Sequence, residues 1–314
     1  MHFFTILNRH GGTLKTTDCE AFAQSVRHVL HGAGHTVEVY TIDGPALPVT
    51  LHQAVEDPKV DVVMVAGGDG TVSSAIGPCW RSGKRLAVLP AGTMNLFARS
   101  LGLPLDIHQA LALFAHARPI AVDVATVEGR PFVHQFAVGL HPSAVALRDR
   151  METRSRLGKI WASGRAAFSV MLHPPRFKVL ISTDGDTPHA PARRRFAKFK
   201  RSPGERLSNL AIATNPFGEG HLPYADRLDQ GVLGVCRTRP LSRQSAFSLM
   251  MHMAVGRWAS HPDMEQTRAQ RVHLTFTRHH RNAKALVDGE LIPLPPQATI
   301  ELHPKALTVL VAGV

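Results

Sequence analysis

The residues best placed to do chemistry lie in one short stretch. Gly67, Gly68, Asp69, Gly70 and Thr71 follow directly on the apolar run Val62-Val63-Met64-Val65-Ala66. A valine-rich run closed by glycines reads as a buried parallel strand. Thr71 is placed to cap a helix reaching to about Trp80. Strand, glycine turn and helix start together make a phosphate cradle, because glycines let backbone N–H groups approach an anion and the helix N-terminus adds partial positive charge. Asp69 is an acid inside that cradle, where a carboxylate serves if it holds a metal ion or a water on one. A plain turn with an exposed acid also reads Gly-Asp-Gly, so this stretch alone leaves the choice open.

The elements that must position these residues alternate strand and helix. Strands are expected at His2–Leu7, Thr36–Ile42, Val62–Ala66 and Arg85–Leu89. Thr17-Asp18-Cys19-Glu20 fits a capping box, and Phe22, Val26, Val29 and Leu30 give the helix that follows one apolar face. A short helix is expected before Pro58, and further helices at Asn95–Leu101 and Ile107–Ala117. Such alternation gives a parallel sheet covered by helices on both faces, with ligands bound beyond the carboxyl ends of its strands. The loop Asn8-Arg9-His10-Gly11-Gly12, Thr41, the Asp69 cradle and the loop Pro90-Ala91-Gly92-Thr93-Met94-Asn95 all fall at such ends and should share one crevice.

From about Ala121 strand-like runs dominate, at 121–127, 132–138, 177–182, 207–214, 231–238, 272–277 and 299–311. Connections are too short for many crossover helices, so a second, mainly β domain is expected, a sandwich, with helical inserts near Leu157–Leu172 and Ser242–Ala259. The chain of 314 residues carries a net charge of +12, which suits an anionic partner. Aromatics at 6% offer no stacking platform, so no nucleic-acid partner is expected. Cys19, Cys79 and Cys236 have no motif spacing and read as reduced thiols of a cytoplasmic protein. The start of the chain runs straight into strand-like sequence, so no signal peptide is expected. No apolar run approaches the ~20 residues of a membrane span. Nineteen histidines are scattered without a His-Glu-x-x-His segment, so no catalytic zinc is expected. The run Arg193-Arg194-Arg195-Phe196-Ala197-Lys198-Phe199-Lys200-Arg201 interleaves cations with aromatics. That pattern suits peripheral docking on an anionic membrane surface, though an ordinary basic hairpin shares it.

Two of these stretches carry a resemblance. Gly67-Gly68-Asp69-Gly70-Thr71-Val72, then Leu89-Pro90-Ala91-Gly92-Thr93-Met94-Asn95-Leu96-Phe97-Ala98-Arg99, resemble the catalytic domain of soluble diacylglycerol kinases, a family that includes bacterial lipid kinases, sphingosine kinases and ceramide kinases. Asn8 with its glycine loop, Val138-Gly139, Gly158-Lys159, Ala225-Asp226-Arg227-Leu228-Asp229-Gln230-Gly231-Val232-Leu233 and Asp288-Gly289-Glu290 fall in the family's order. The resemblance covers nearly the whole chain. It implies a nucleotide-binding α/β domain over residues 1–126, a β-sandwich lipid-substrate domain over 127–314, and an active site in the cleft between them. It further implies ATP- and Mg²⁺-dependent transfer of the γ-phosphoryl group to a lipid hydroxyl, that of diacylglycerol or of another lipid alcohol such as a sphingoid base.

By position, Asn8, Arg9, His10, Gly11, Gly12, Thr41, Gly67, Gly68, Asp69, Gly70, Thr71, Val72, Ser73 and Thr93 would hold the nucleotide, with Asp69 on the catalytic Mg²⁺. Asn95 would cap a helix, touch the nucleotide, or both. Either Asp288 or Glu290 would receive the hydroxyl proton, the resemblance favouring Glu290. Three positions depart from the family pattern: Ser73-Ser74 replaces a frequent Asn-Glu, Leu96 a frequent Asp, and Gln230 a frequent acid. Gln230 is a neutral ligand and weakens the structural magnesium site implied near Asp226 and Asp229. A reading of another class is a nucleotide-sensing protein that binds anionic membranes and transfers nothing. The presence of both Asp288 and Glu290 speaks against it, while Leu96 and Gln230 leave it open.

Overall fold

The computed structural model describes residues 1–150, 164–166, 168–184, 204–218, 220–221, 223–277 and 283–313. In the first half the chain runs β1 (His2–Asn8), α1 (Cys19–Gly32), β2 (Thr36–Ile42), α2 (Leu47–Glu56), β3 (Val62–Gly67), α3 (Asp69–Ser82), β4 (Arg85–Pro90), α4 (Leu96–Ser100) and α5 (Ile107–Leu113). The four strands pair in parallel in the order β2-β1-β3-β4. All six residues of β3 are buried, as the continuous apolar run requires of a central parallel strand. Helices α1 and α5 pack together over one face, and α2 and α3 over the other. The first helix is capped by Asp18, whose carboxylate accepts from Glu20 and Ala21 N–H groups, and not by Thr17 of the expected capping box. The Thr17 hydroxyl instead donates to the Thr13 carbonyl, which leaves the cap to the next acceptor along.

The second half continues with β5 (Arg118–Val127), β6 (Arg130–Phe132), β7 (Gln135–Gly139), α6 (Leu140–Asp149), β8 (Phe177–Asp184), β9 (Glu205–Leu207), β10 (Asn209–Ala213), β11 (Leu233–Thr238), α7 (Arg243–Ala254), β12 (Met264–Ala269), β13 (Arg271–Phe276), β14 (Lys284–Val287), β15 (Glu290–Pro293) and β16 (Gln297–Val311). One six-stranded antiparallel sheet has the order β12-β11-β10-β7-β14-β15. The other sheet is the parallel one extended: β16 lies beside β4 and continues through β13 and β8 to β9, with β5 pairing along β16. Between the sheets sits a sandwich core of Phe132, Phe136, Ile212, Val235, Leu274, Ile300 and neighbours. The expected α/β half with a parallel sheet and the β-sandwich half are both present.

The outward face of the six-stranded sheet is covered by helices. Ala137, Ala211, Cys236 and Leu286 of that sheet meet Leu140 and Val145 of α6, Ala246 and Leu249 of α7, and Trp258. Small side chains on the strands let the helices sit close. Burial pushes the Cys236 thiol up to about 12, and the Cys79 thiol likewise, so both stay protonated. Among the described residues no helix is long and apolar enough to cross a membrane.

Candidate active site

Three loops at the carboxyl ends of β1, β3 and β4 are fastened to one another. Asn8 is buried at the end of β1, its Nδ2 donating to the Thr71 hydroxyl at 3.0 Å. The Gly11 N–H donates back to the Asn8 carbonyl, and the Thr13 N–H to the Ala91 carbonyl, both at 2.8 Å. The loop after β4 lies on the glycines after β3. A Cβ on Gly92 would stand 2.6 Å from the Gly68 Cα, so any side chain there would separate the two loops. Asn95 adopts the left-handed conformation (φ 50°) and clamps Gly92 from both sides, its Oδ1 accepting from the Gly92 N–H at 2.8 Å and its Nδ2 donating to the Gly92 carbonyl at 3.1 Å. Asparagine tolerates that backbone better than most residues.

Helix α3 begins at Asp69, two residues before the expected Thr71. The Thr71 and Val72 N–H groups both donate to the Gly68 carbonyl, so the first turn closes earlier and the Thr71 side chain is left to meet Asn8. Asp69 therefore sits in the first turn, where the helix dipole favours a negative charge. Its Oδ2 accepts from the Asn95 N–H at 3.0 Å and its Oδ1 from the Leu96 N–H at 2.7 Å. The carboxylate caps α4 from the start of α3, while the Asn95 side chain, at the N-cap position, closes Gly92 instead. Each Asp69 oxygen keeps a second lone pair for another partner. Burial raises the Asp69 carboxyl above its ordinary value, with the Leu96 and Asn95 N–H groups opposing that shift and the nearby Arg99 charge adding to the opposition.

The opposing wall comes from the second half. The hairpin β14–β15 turns through Asp288 in the left-handed region (φ 46°) and Gly289 (φ 89°). This turns the Asp288 carboxylate inward, where Oδ2 accepts from the Val133 N–H at 2.9 Å and Oδ1 from the His134 and Gln135 N–H groups at 2.9 and 3.0 Å. Burial pushes the Asp288 carboxyl up to about 6; the three N–H groups oppose this, and the Asp69 charge adds to it. Asp69 and Asp288 line one small cavity of about 20 Å³, together with Val72, Ser73, Ile76, Leu96, Phe97, Val133 and His134. Glu290, two residues on, points away. It is 61% exposed and pairs with Arg130 of β6 at 2.5 Å.

The remaining expected residues fall around this centre. Arg9 and His10 both reach Asp43, each at 3.3 Å, tying the β1 loop to the end of β2, where Thr41 is half-buried. Thr93 is exposed on the loop over the cradle, and Gly70 has open space above it. Asp229 pairs with Arg227 at 3.1 Å, and the Asp226 carboxylate packs against Gly218. Among the described residues no three His, Cys, Asp or Glu side chains converge, there or elsewhere. The basic run Arg193–Arg201 and Gly158-Lys159 lie outside the described residues. Sequence reasoning missed His134. Its imidazole is held neutral, pushed down to about 3 by burial, and its Nε2 is buried without a partner among the described residues. No motif marks it; only the register of β7 against Asp288 brings it to the cavity.

Fold and site together give a protein whose α/β half brings Asp69, at the start of α3 after a glycine loop, to one cavity with the buried Asp288 carboxylate of its β-sandwich half. A family model described as "Diacylglycerol kinase catalytic domain" matches residues 2–127. Another, described as "YegS C-terminal NAD kinase beta sandwich-like domain", matches residues 205–311. A diacylglycerol kinase of Staphylococcus saprophyticus is 30% identical over 283 residues, spanning 88% of this chain and 86% of that protein. A probable lipid kinase YegS-like of Pectobacterium atrosepticum is 32% identical over 110 residues, which is 32% of this chain and 35% of that protein's own length. A crystal structure of a putative diacylglycerol kinase from Bacillus anthracis shares the fold with a TM-score of 0.75 at 20% identity, covering 99% of this chain and 95% of that one. The chain belongs to the diacylglycerol kinase family.

Proposed function

We propose that this protein is an ATP- and Mg²⁺-dependent lipid kinase that transfers the γ-phosphoryl group to a lipid hydroxyl, with diacylglycerol as the acceptor class. The observation that carries the reading is the pair Asp69 and Asp288, brought from the two halves of the chain to opposite walls of one cavity. Phosphoryl transfer asks a protein for positioning, charge neutralisation and a group to receive the hydroxyl proton. The interlocked Gly68 and Gly92 loops and the start of α3 form the anion side. Asp69, with a free lone pair on each oxygen, fits a magnesium ion that is otherwise held by nucleotide phosphates and water, the usual manner for this ion. When bound, the ion would neutralise charge developing on the phosphates.

The reading assigns the proton acceptor to Asp288, not to Glu290. Asp288 is fixed by three backbone N–H groups, lies in the cavity with Asp69, and has its carboxyl raised toward neutrality, which suits a general base. Glu290 is spent on Arg130 at the surface. Enzymes of this kind act at a bilayer, and the basic run Arg193, Arg194, Arg195, Phe196, Lys198, Phe199 and Lys200 is proposed to help hold the protein there. The test is incubation with labelled ATP, Mg²⁺ and a total lipid extract, followed by identification of the labelled product. A labelled phospholipid is expected from wild type and none from Asp69→Asn. Absence of any labelled lipid from folded wild-type protein would overturn the reading.

A further inference from the structure

Eleven large apolar side chains are notably exposed among the described residues, and six of them belong to one layer of the molecule: Phe168, Leu172, Phe247, Met251, Met253 and Val255. That layer is the set of helices over the outward face of the six-stranded sheet. Val170 and Met171 pack into the same cluster as Ala246 and Leu249 of α7, so residues 168–172 and α7 lie over one patch of core. Helix α7 carries apolar residues on two sides: Ala246 and Leu249 point in, while Phe247 is 58% exposed, Met251 48% and Val255, at the helix end, 61%. A surface helix ordinarily turns its large apolar side chains to the core and polar ones outward. Here large apolar side chains also stand on the outer side.

Arginines stand at both ends of this outer side, Arg243 in the first turn of α7 and Arg257 just past Val255. Arg243, Phe247, Met251 and Val255 follow each other at four-residue spacing, which stacks them in one stripe along the helix. From Gln230 to Pro262 the chain contains no Asp or Glu but four arginines, of which Arg237 is paired with Glu205 and Glu265 while Arg243 and Arg257 flank the stripe. Among the described residues the Asp263 carboxylate accepts from the Ser245 hydroxyl, and Asp149 of α6 pairs with Arg148 at 2.8 Å. An apolar stripe flanked by arginines, on a helix with no acid of its own, is complementary to a surface with negative head groups over an apolar interior. We propose that the outer stripe of α7, with Phe168 and Leu172 beside it, is a docking surface for an anionic lipid bilayer. Phe247, Met251 and Val255 enter the head-group boundary while Arg243 and Arg257 engage lipid phosphates. This surface does not depend on catalysis and is separate in sequence from the basic run at 193–201.

The experiment is co-sedimentation of the full chain with phosphatidylcholine vesicles, with and without phosphatidylglycerol, alongside size measurement in solution. Wild type is expected to prefer the anionic vesicles. The triple variant Phe247→Ser/Met251→Ser/Val255→Ser, which touches only exposed positions, should keep wild-type circular dichroism and bind at least ~10-fold more weakly, since each large apolar group withdrawn from water contributes on the kcal/mol scale. Arg243→Gln/Arg257→Gln should weaken binding roughly fivefold per arginine at low salt. Unchanged vesicle binding by the triple variant overturns the proposal. So does a wild-type dimer in solution that the triple variant abolishes, because the stripe would then be an interface between copies.

Discussion

Asp69 and Asp288 are alike in chemistry and opposite in construction. Asp69 is placed by its own helix and ties together two loops close in sequence, since its partners Asn95 and Leu96 lie in the next strand–helix connection. Asp288 is placed by a left-handed hairpin turn and accepts N–H groups from residues 133–135, far away in sequence. Both carboxyls are raised by burial, but only Asp288 is pushed to about 6. At Asp69 a nearby arginine opposes the rise, while at Asp288 the second acid adds to it. The difference predicts that the two acids fail differently when changed.

The largest expected effects are on the two acids. Asp288→Asn should lower kcat by about 10²- to 10⁴-fold, the usual worth of a general base, with nucleotide affinity nearly unchanged. Asp69→Asn should lose activity and weaken nucleotide binding, and should also destabilise the fold by about 1–3 kcal/mol, because an amide cannot accept from both the Asn95 and Leu96 N–H groups. Turnover, nucleotide titration and thermal melts on both variants decide the matter. Identical profiles for the two would break the distinction.

The pH dependence sharpens it next. The base works as a carboxylate, and protonation at low pH removes it. With the Asp288 carboxyl near 6, kcat should fall about tenfold per pH unit below that value and level off above it. The residual rate of Asp288→Asn should lack this limb. A limb that persists unchanged in the variant assigns the titration to another group.

A smaller effect is expected where the two loops touch. Gly92→Ala puts a Cβ 2.6 Å from the Gly68 Cα and should raise the KM for ATP by about tenfold by opening the cradle, leaving the Asp288 limb in place. Titration calorimetry with a nucleotide analogue measures it. The smallest effect belongs to Glu290→Gln. Its pair with Arg130 is exposed, and such pairs are worth about 0–1 kcal/mol, so kcat should stay within about threefold of wild type. A drop of the size expected for Asp288→Asn would return the base to Glu290.

Much of this was legible in the residues. The glycine run after a valine-rich strand, the second loop at Gly92 and the alternation of the first half all follow from local chemistry, and the four strands of that half fall within a residue of expectation, whereas in the second half the expected 132–138 and 207–214 are each split into two strands and β14 and β15 fall outside the expected runs. The boundary errors are also local. Thr17 and Thr71 both look like helix caps, but each hydroxyl has a better partner, the Thr13 carbonyl and the Asn8 amide; Asp18 then caps α1, and α3 starts from Gly68 without a side-chain cap. What could not be read was anything set by long-range register. Asp288 and Glu290 are equivalent in sequence; only the pairing of β14 with β7 turns one inward and the other toward Arg130. His134 carries no motif for the same reason. The edge strand β12, with its mixed MEQTRA sequence, has no clear alternation to announce it.

The long strand β16 has a consequence for how the molecule is made. Its first part pairs with β13, its register slips between His303 and Leu307, and Leu307, Val309, Leu310 and Val311 are then buried in the core of the first half, beside β4. The parallel strands β1 to β4 are thus synthesised well before β16, their neighbour on the outer edge of β4. Until β16 pairs, that edge is an open template for pairing with other chains. Strand β16 is a latch between the halves, closing the sheet of the first while it pairs with β13 of the second.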